Sequence, residues 1–157
     1  MLKSMHGGNI AIVGAAETDQ IGVLPNTSVY ELHANSAVRA LADAGLTVAD
    51  VDGFATTMPN ALEVADYIGI RPTWLDGTMV GGCSYMLHVR HAAAAIASGA
   101  AHVVLITHGE SGRSRVGMPP MLRNPSSPGG RFEQPFGALA PFASFTAPVM
   151  SFLESRG

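Results

Sequence analysis

Residues 80–110, VGGCSYMLHVRHAAAAIASGAAHVVLITHGE, hold the one cysteine of this 157-residue chain, Cys83, between a Gly81-Gly82 turn and an alanine-rich run. At the start of a helix, Cys83 would face unpaired backbone N–H groups and the positive end of the helix dipole, and both favour the thiolate. A thiolate so placed is an acyl-accepting nucleophile. The competing reading is a small packed side chain, because cysteine is among the residues most often buried. The two glycines are open in the same way. Their backbone donors suit an oxyanion, and their small size suits a close approach of strand to helix.

His88 and His91 occupy neighbouring positions of a helix. Two histidines without acidic or cysteine partners make a weak metal signal, packing or solvent contact accounts for them better, and no metal site is expected. His102 and His108 flank the apolar run VVLIT and suit contact with a substrate or subunit, though ordinary edge positions explain them at least as well; His108, beside Gly109 and Glu110, is the better functional candidate of the two. Arg113, Arg115, Arg123 and Arg131 offer directional donors suited to coenzyme A phosphates. Scattered through a Gly/Pro-rich stretch, they suit a solvated or intersubunit surface better.

The rest of the chain has to position these groups, and its 47% hydrophobic content is enough for a core. Charged residues make up 13%, so surface covered by other protein, and hence an oligomer, is expected. A net charge of −3 gives no broad attraction to nucleic acid or anionic membrane. One cysteine excludes an internal disulfide framework and a cysteine-rich metal site. GAAETDQIG lacks a complete Walker or dinucleotide fingerprint, which argues against ATP and NAD. Without a membrane-length apolar run or a signal-like N-terminus, a cytoplasmic protein with no membrane span is expected.

NIAIVGA at 9–15, after Gly8, reads as a buried strand. Ser28 and Glu31 have capping-box spacing ahead of a helical face of Val29, Leu32, Ala37, Val38, Leu41 and Ala44, stopped by Gly45. GFATTM at 53–58 reads as a strand, ALEVADYI as a short helix ended by Gly69, and TWLDGTM at 73–79 as containing another strand. The helix after Cys83 runs to Ser98, and HVVLIT at 102–107 is the clearest buried strand. This alternation predicts an α/β fold with a parallel sheet covered on both faces, and functional residues beyond the carboxyl ends of its strands. After residue 110 the pattern gives way to Gly, Pro and Ser interspersed with Phe132, Phe136, Phe142 and Phe145. That stretch is expected to pack over neighbouring protein or to close a ligand channel.

AIVGAAET near the start, VDGF at 51–54, GGCSYMLHVRHAAAAIASGAAHVVLITHGE and RFEQPFG at 131–137, in that order, resemble the N-terminal part of the thiolase superfamily. The branch is that of sterol-carrier-protein-X and the bacterial lipid-transfer, acetyl-CoA acetyltransferase-like proteins. The resemblance implies a thiolase-like layered fold with a mostly parallel sheet and a buried helix beginning near Cys83. It implies an N-terminal α/β core over 1–110 and the beginning of a loop or cap region, cut short, over 111–157. It makes Cys83 the catalytic acyl acceptor and a coenzyme A thioester the substrate, as acyl-CoA or steroid-CoA, with no tightly bound cofactor. It implies a homodimer or larger oligomer and an OB-fold, zinc-ribbon partner protein. The histidine and second cysteine that the family's thiolases use have no counterpart here, so an isolated fragment is expected to be inactive. The first function implied is a thiolase-like acyl-CoA acyltransferase of lipid or sterol metabolism. The alternatives are a steroid side-chain acyl-CoA retro-aldolase subunit, in which Cys83 need not be the nucleophile, and a non-catalytic lipid-binding or assembly subunit.

Overall fold

The computed structural model describes residues 10–116, 123–139 and 141–157, except for the side chains of residues 141, 142 and 144. Gly8, Asn9 and the Phe142 side chain lie outside the described residues. The chain divides into two units, Met1–Met118 and Pro119–Gly157.

In the first unit, α1 (Val29–Asp43) starts where the Ser28 side chain accepts a hydrogen bond from the Glu31 N–H. It buries Val29, Leu32, His33, Ala37 and Leu41, a stripe at helical spacing. α2 (Ala61–Ile68) is capped by Asn60 and buries Ala61, Val64 and Ala65. Three short strands, β1 (Gly53–Ala55), β2 (Trp74–Asp76) and β3 (Val104–Ile106), form a parallel sheet in the order β2-β1-β3. β1 is therefore central. Its Phe54 is fully enclosed by a core that includes Leu41, Val51, Val64, Ala65, Ile70 and Leu105. Gly53 has no room for a side chain, since a Cβ there would lie 2.7 Å from Val104 Cγ2.

Asp52 ties this sheet together. Its carboxylate accepts from the His102 N–H at 2.8 Å, the Val103 N–H at 2.8 Å and His102 Nδ1 at 2.8 Å. Its carbonyl accepts from the Thr73 N–H at 2.8 Å. Desolvation pushes the Asp52 carboxyl up, and the Val103 and His102 donors together outweigh it, holding it below the usual carboxylate range. Asp52→Ala leaves those amides without their acceptor, and urea denaturation should show a loss of about 1–3 kcal/mol.

Two expectations are corrected here. Among the described residues, 10–15 form no strand, and Ile12 and Val13 are 81% and 64% exposed. A strand needs a ladder, and among the described residues this segment pairs with none; it and β3 both line a cleft of about 1310 Å³. Only its far end is held, through the Ala15 N–H to Asp43 Oδ2 at 3.0 Å. The second correction concerns α3 (Ser84–Ala97), which was expected to be a buried helix beginning near Cys83. Its inward face is narrow, with Ser84, His88, Ala92 and Ala95 buried, while Met86 is 75% exposed and Cys83 is exposed. The reason is geometric. Among the described residues β3 is the last strand on its side, so Val89, Ala93 and Ile96 line a cleft rather than covering a further strand.

The second unit carries α4 (Pro141–Arg156), which continues through Pro148. Ahead of it, Arg123 bonds the Ala138 carbonyl at 2.6 Å and pairs with Glu133 at 3.0 Å. Among the described residues, no helix is long and apolar enough to cross a membrane.

Candidate functional site

The register of β1 on β3 pairs Ala55 with Ile106, so two residues past the strand ends Thr57 and His108 stand at the same height on neighbouring strands. The first turn of α3 brings Tyr85 to both. Tyr85 Oη lies 2.7 Å from Thr57 Oγ1 and is hydrogen-bonded to His108 Nδ1, with the two rings edge to face at a centroid separation of 4.5 Å. His108 Nε2 lies 3.9 Å from Glu110 Oε1, and both side chains are about half exposed. The result is a carboxylate, imidazole and phenol in sequence at the carboxyl end of a parallel sheet, where α/β proteins gather their chemistry. Burial pushes the Tyr85 phenol up, with the Thr57 bond partly opposing and Glu110 adding to the rise, so the phenol keeps its proton at neutral pH.

Behind this cluster His33 is fully enclosed in α1. Its Nε2–H donates to the Met58 carbonyl at 3.0 Å, which leaves Nδ1 to accept from Thr107 Oγ1 at 2.7 Å. Desolvation lowers the His33 pKa to about 4, against the Met58 bond and with the nearby His108 adding to the fall. His33 is therefore neutral at neutral pH.

Cys83 is the N-cap residue of α3. Its thiol is free, makes no side-chain cap bond, and approaches only the Val80 carbonyl, at 3.8 Å. Ser84 fixes the turn around it, donating to the Gly81 carbonyl at 2.6 Å and accepting from the Val80 N–H at 2.9 Å. Gly81, at φ +89°, takes the left-handed conformation that this turn requires. Cys83 thus precedes Tyr85 by two residues on an exposed turn.

The remaining sequence candidates separate. His88 is buried, with Nε2–H donating to the Thr78 carbonyl at 3.0 Å, and His91 bonds Asp76 at 2.7 Å. His102 belongs to the Asp52 knot described above. Among the described residues, no group of three or more His, Cys, Asp or Glu is placed to hold a metal. Sequence reading singled out His108 but missed Tyr85 and Thr57. Thr57 lies inside the predicted strand GFATTM and Tyr85 in the predicted helix, so neither carried a signal of its own in the sequence.

The chain shares a thiolase/SCP2-like superfamily fold with proteins of lipid and steroid-CoA metabolism. No protein-family model matches the chain. The chain is 34% identical to 17-hydroxy-3-oxo-4-pregnene-20-carboxyl-CoA lyase of Mycobacterium tuberculosis over 98% of its own length and 42% of the relative's. It therefore spans about two fifths of the curated relative it matches. Among solved structures, it is similar to the Ltp2-ChsH2(DUF35) aldolase, with a TM-score of 0.62 and 26% identity over 92% of this chain and 39% of that one. It is also similar to a monomeric SCP2-thiolase like protein type 1 from Mycobacterium smegmatis, with a TM-score of 0.51 and 29% identity over 60% of this chain and 22% of that one.

Proposed function

We propose that this chain forms part of a carbon–carbon lyase that cleaves a steroid-type β-hydroxyacyl-CoA thioester by a retro-aldol step. The observation that carries this reading is that the two matches running along nearly the whole chain are to a CoA lyase and to an aldolase. In the step, a base takes the hydroxyl proton and the oxygen's electron pair closes a carbonyl. The bond between the α and β carbons breaks, and its pair passes into the thioester as an enolate. Protonation of the α carbon releases a shorter acyl-CoA beside the ketone. A polar acid/base cluster at the sheet's carboxyl end suits this chemistry. Coenzyme A enters as part of the substrate. Assembly with a second kind of chain is the partner reading taken here, because the similar aldolase carries two components in its name, Ltp2 and ChsH2(DUF35).

Acyl transfer is the second reading, favoured by the free, exposed thiol of Cys83 at the start of α3. Attack on the thioester carbonyl would expel coenzyme A and leave the acyl group on sulfur. Incubating the full-length protein and its partner with a β-hydroxyacyl-CoA separates the two. The lyase reading expects ketone and shortened acyl-CoA with Cys83 unmodified by intact mass. A labile acyl adduct on Cys83 without ketone would reverse the order of the readings.

A further inference from the structure

We infer that His108 is the base that takes the substrate's hydroxyl proton, and that Tyr85 is the positioning residue that fixes which ring nitrogen is free to do so. The inference rests on the lyase reading above and adds the residues that would carry it out.

The hydrogen-bond chain decides the roles. Tyr85 Oη has one proton and sits between Thr57 Oγ1 and His108 Nδ1, so the chain of donors runs in one of two directions. With Nδ1–H donating to the phenol oxygen and the phenol donating to Thr57, Nε2 carries the lone pair. Nε2 is the nitrogen on the Glu110 side of the ring, and His108, Gly109 and Glu110 all border the cleft. When Nε2 takes a proton, both ring nitrogens bear hydrogen. Only this direction of the chain then leaves each donor an acceptor.

The surroundings accept the charge that forms. The Glu110 carboxylate oxygen, 3.9 Å from Nε2, is placed to stabilise an imidazolium. Tyr85, packed from α3, keeps its proton and adds no charge, and Thr57, from the end of β1, is neutral. His33, which faces His108 from α1, is enclosed and uncharged at neutral pH, so it does not oppose a second positive ring. Electrons balance as in the retro-aldol step. The hydroxyl proton moves to Nε2, the carbon–carbon bond pair becomes the enolate, and the proton is returned to the α carbon or to solvent as the shorter acyl-CoA forms.

The test compares wild type, His108→Gln, His108→Ala and Tyr85→Phe in the full-length protein with its partner, using a β-hydroxyacyl-CoA as substrate. His108→Gln should lose about 10²–10⁴-fold in kcat with little change in KM. Imidazole added to His108→Ala should restore part of that rate. Tyr85→Phe keeps the ring and removes the tautomer lock, so the acid limb of its kcat/KM profile should move. An inactive wild type overturns the lyase reading and this assignment with it. An active wild type with His108→Gln equally active overturns this assignment alone. So does a loss that imidazole leaves unchanged while the Tyr85→Phe profile stays where it was, because that is the behaviour of a residue serving only the fold.

Discussion

Lowering the pH from 7 to 4 should cost the folded chain about 3 kcal/mol through His33 alone. The folded pKa is about 4, while an unfolded histidine titrates near the model value of 6.5. Between those values the unfolded chain binds a proton that the folded chain does not. The stabilisation is thus fully present above pH 6.5, falls as the pH drops, and is exhausted below 4. The cause is desolvation of the fully enclosed ring, which outweighs the Met58 and Gly109 backbone bonds that favour the charged form. The aspartates held below the ordinary range, Asp50, Asp52 and Asp76, lose their contributions only at lower pH. Urea denaturation at half-unit steps, compared with His33→Gln, isolates the effect. The variant should be less stable at pH 7, and the wild-type advantage should shrink towards pH 4. A wild-type advantage that stays constant from 7 to 4 would show that the ring is not held neutral.

The helices were legible in the sequence because their signals are local. Ser28 with Glu31, Asn60 ahead of Ala61, and Gly69 beyond Ile68 each close a hydrogen bond or a turn within a few residues. β1, β2 and β3 could be placed because short apolar runs bounded by turns suit a covered parallel sheet. The segment 10–15 carries the same kind of signal, but strand formation depends on a neighbour. Its apolar residues describe what could pair with it, and among the described residues no strand does. Burial of α3 failed for the same reason, since an alanine-rich helix is as buried as the sheet beneath it is wide. At the candidate site, Cys83 was visible as a lone residue type. The bond joining Tyr85, Thr57 and His108 spans 28 and 23 residues of sequence, and only the β1–β3 register brings its ends together.

Phe54→Ala should be the most damaging single substitution for stability, lowering it by about 3–5 kcal/mol. The side chain is fully enclosed, on the central strand, and ringed by residues from α1, α2 and β3, so its loss leaves a cavity that three short strands cannot close by moving together. Phe54→Leu retains most of the volume and should cost about 1–2 kcal/mol. In α4, Phe145 is 67% exposed, and its replacement by alanine should stay within about 0.5 kcal/mol. Urea denaturation of the three variants provides the comparison, and equal losses at Phe54 and Phe145 would mean that the Phe54 core is not what stabilises the chain. The consequence reaches the site. Thr57 lies three residues beyond Phe54 and meets Tyr85 from β1, so loosening that strand removes the fixed neighbour that the phenol and, through it, His108 depend on. On the proposed lyase reading, Phe54→Ala should therefore move the acid limb of the kcat/KM profile, as Tyr85→Phe does, although Phe54 touches neither ring nitrogen.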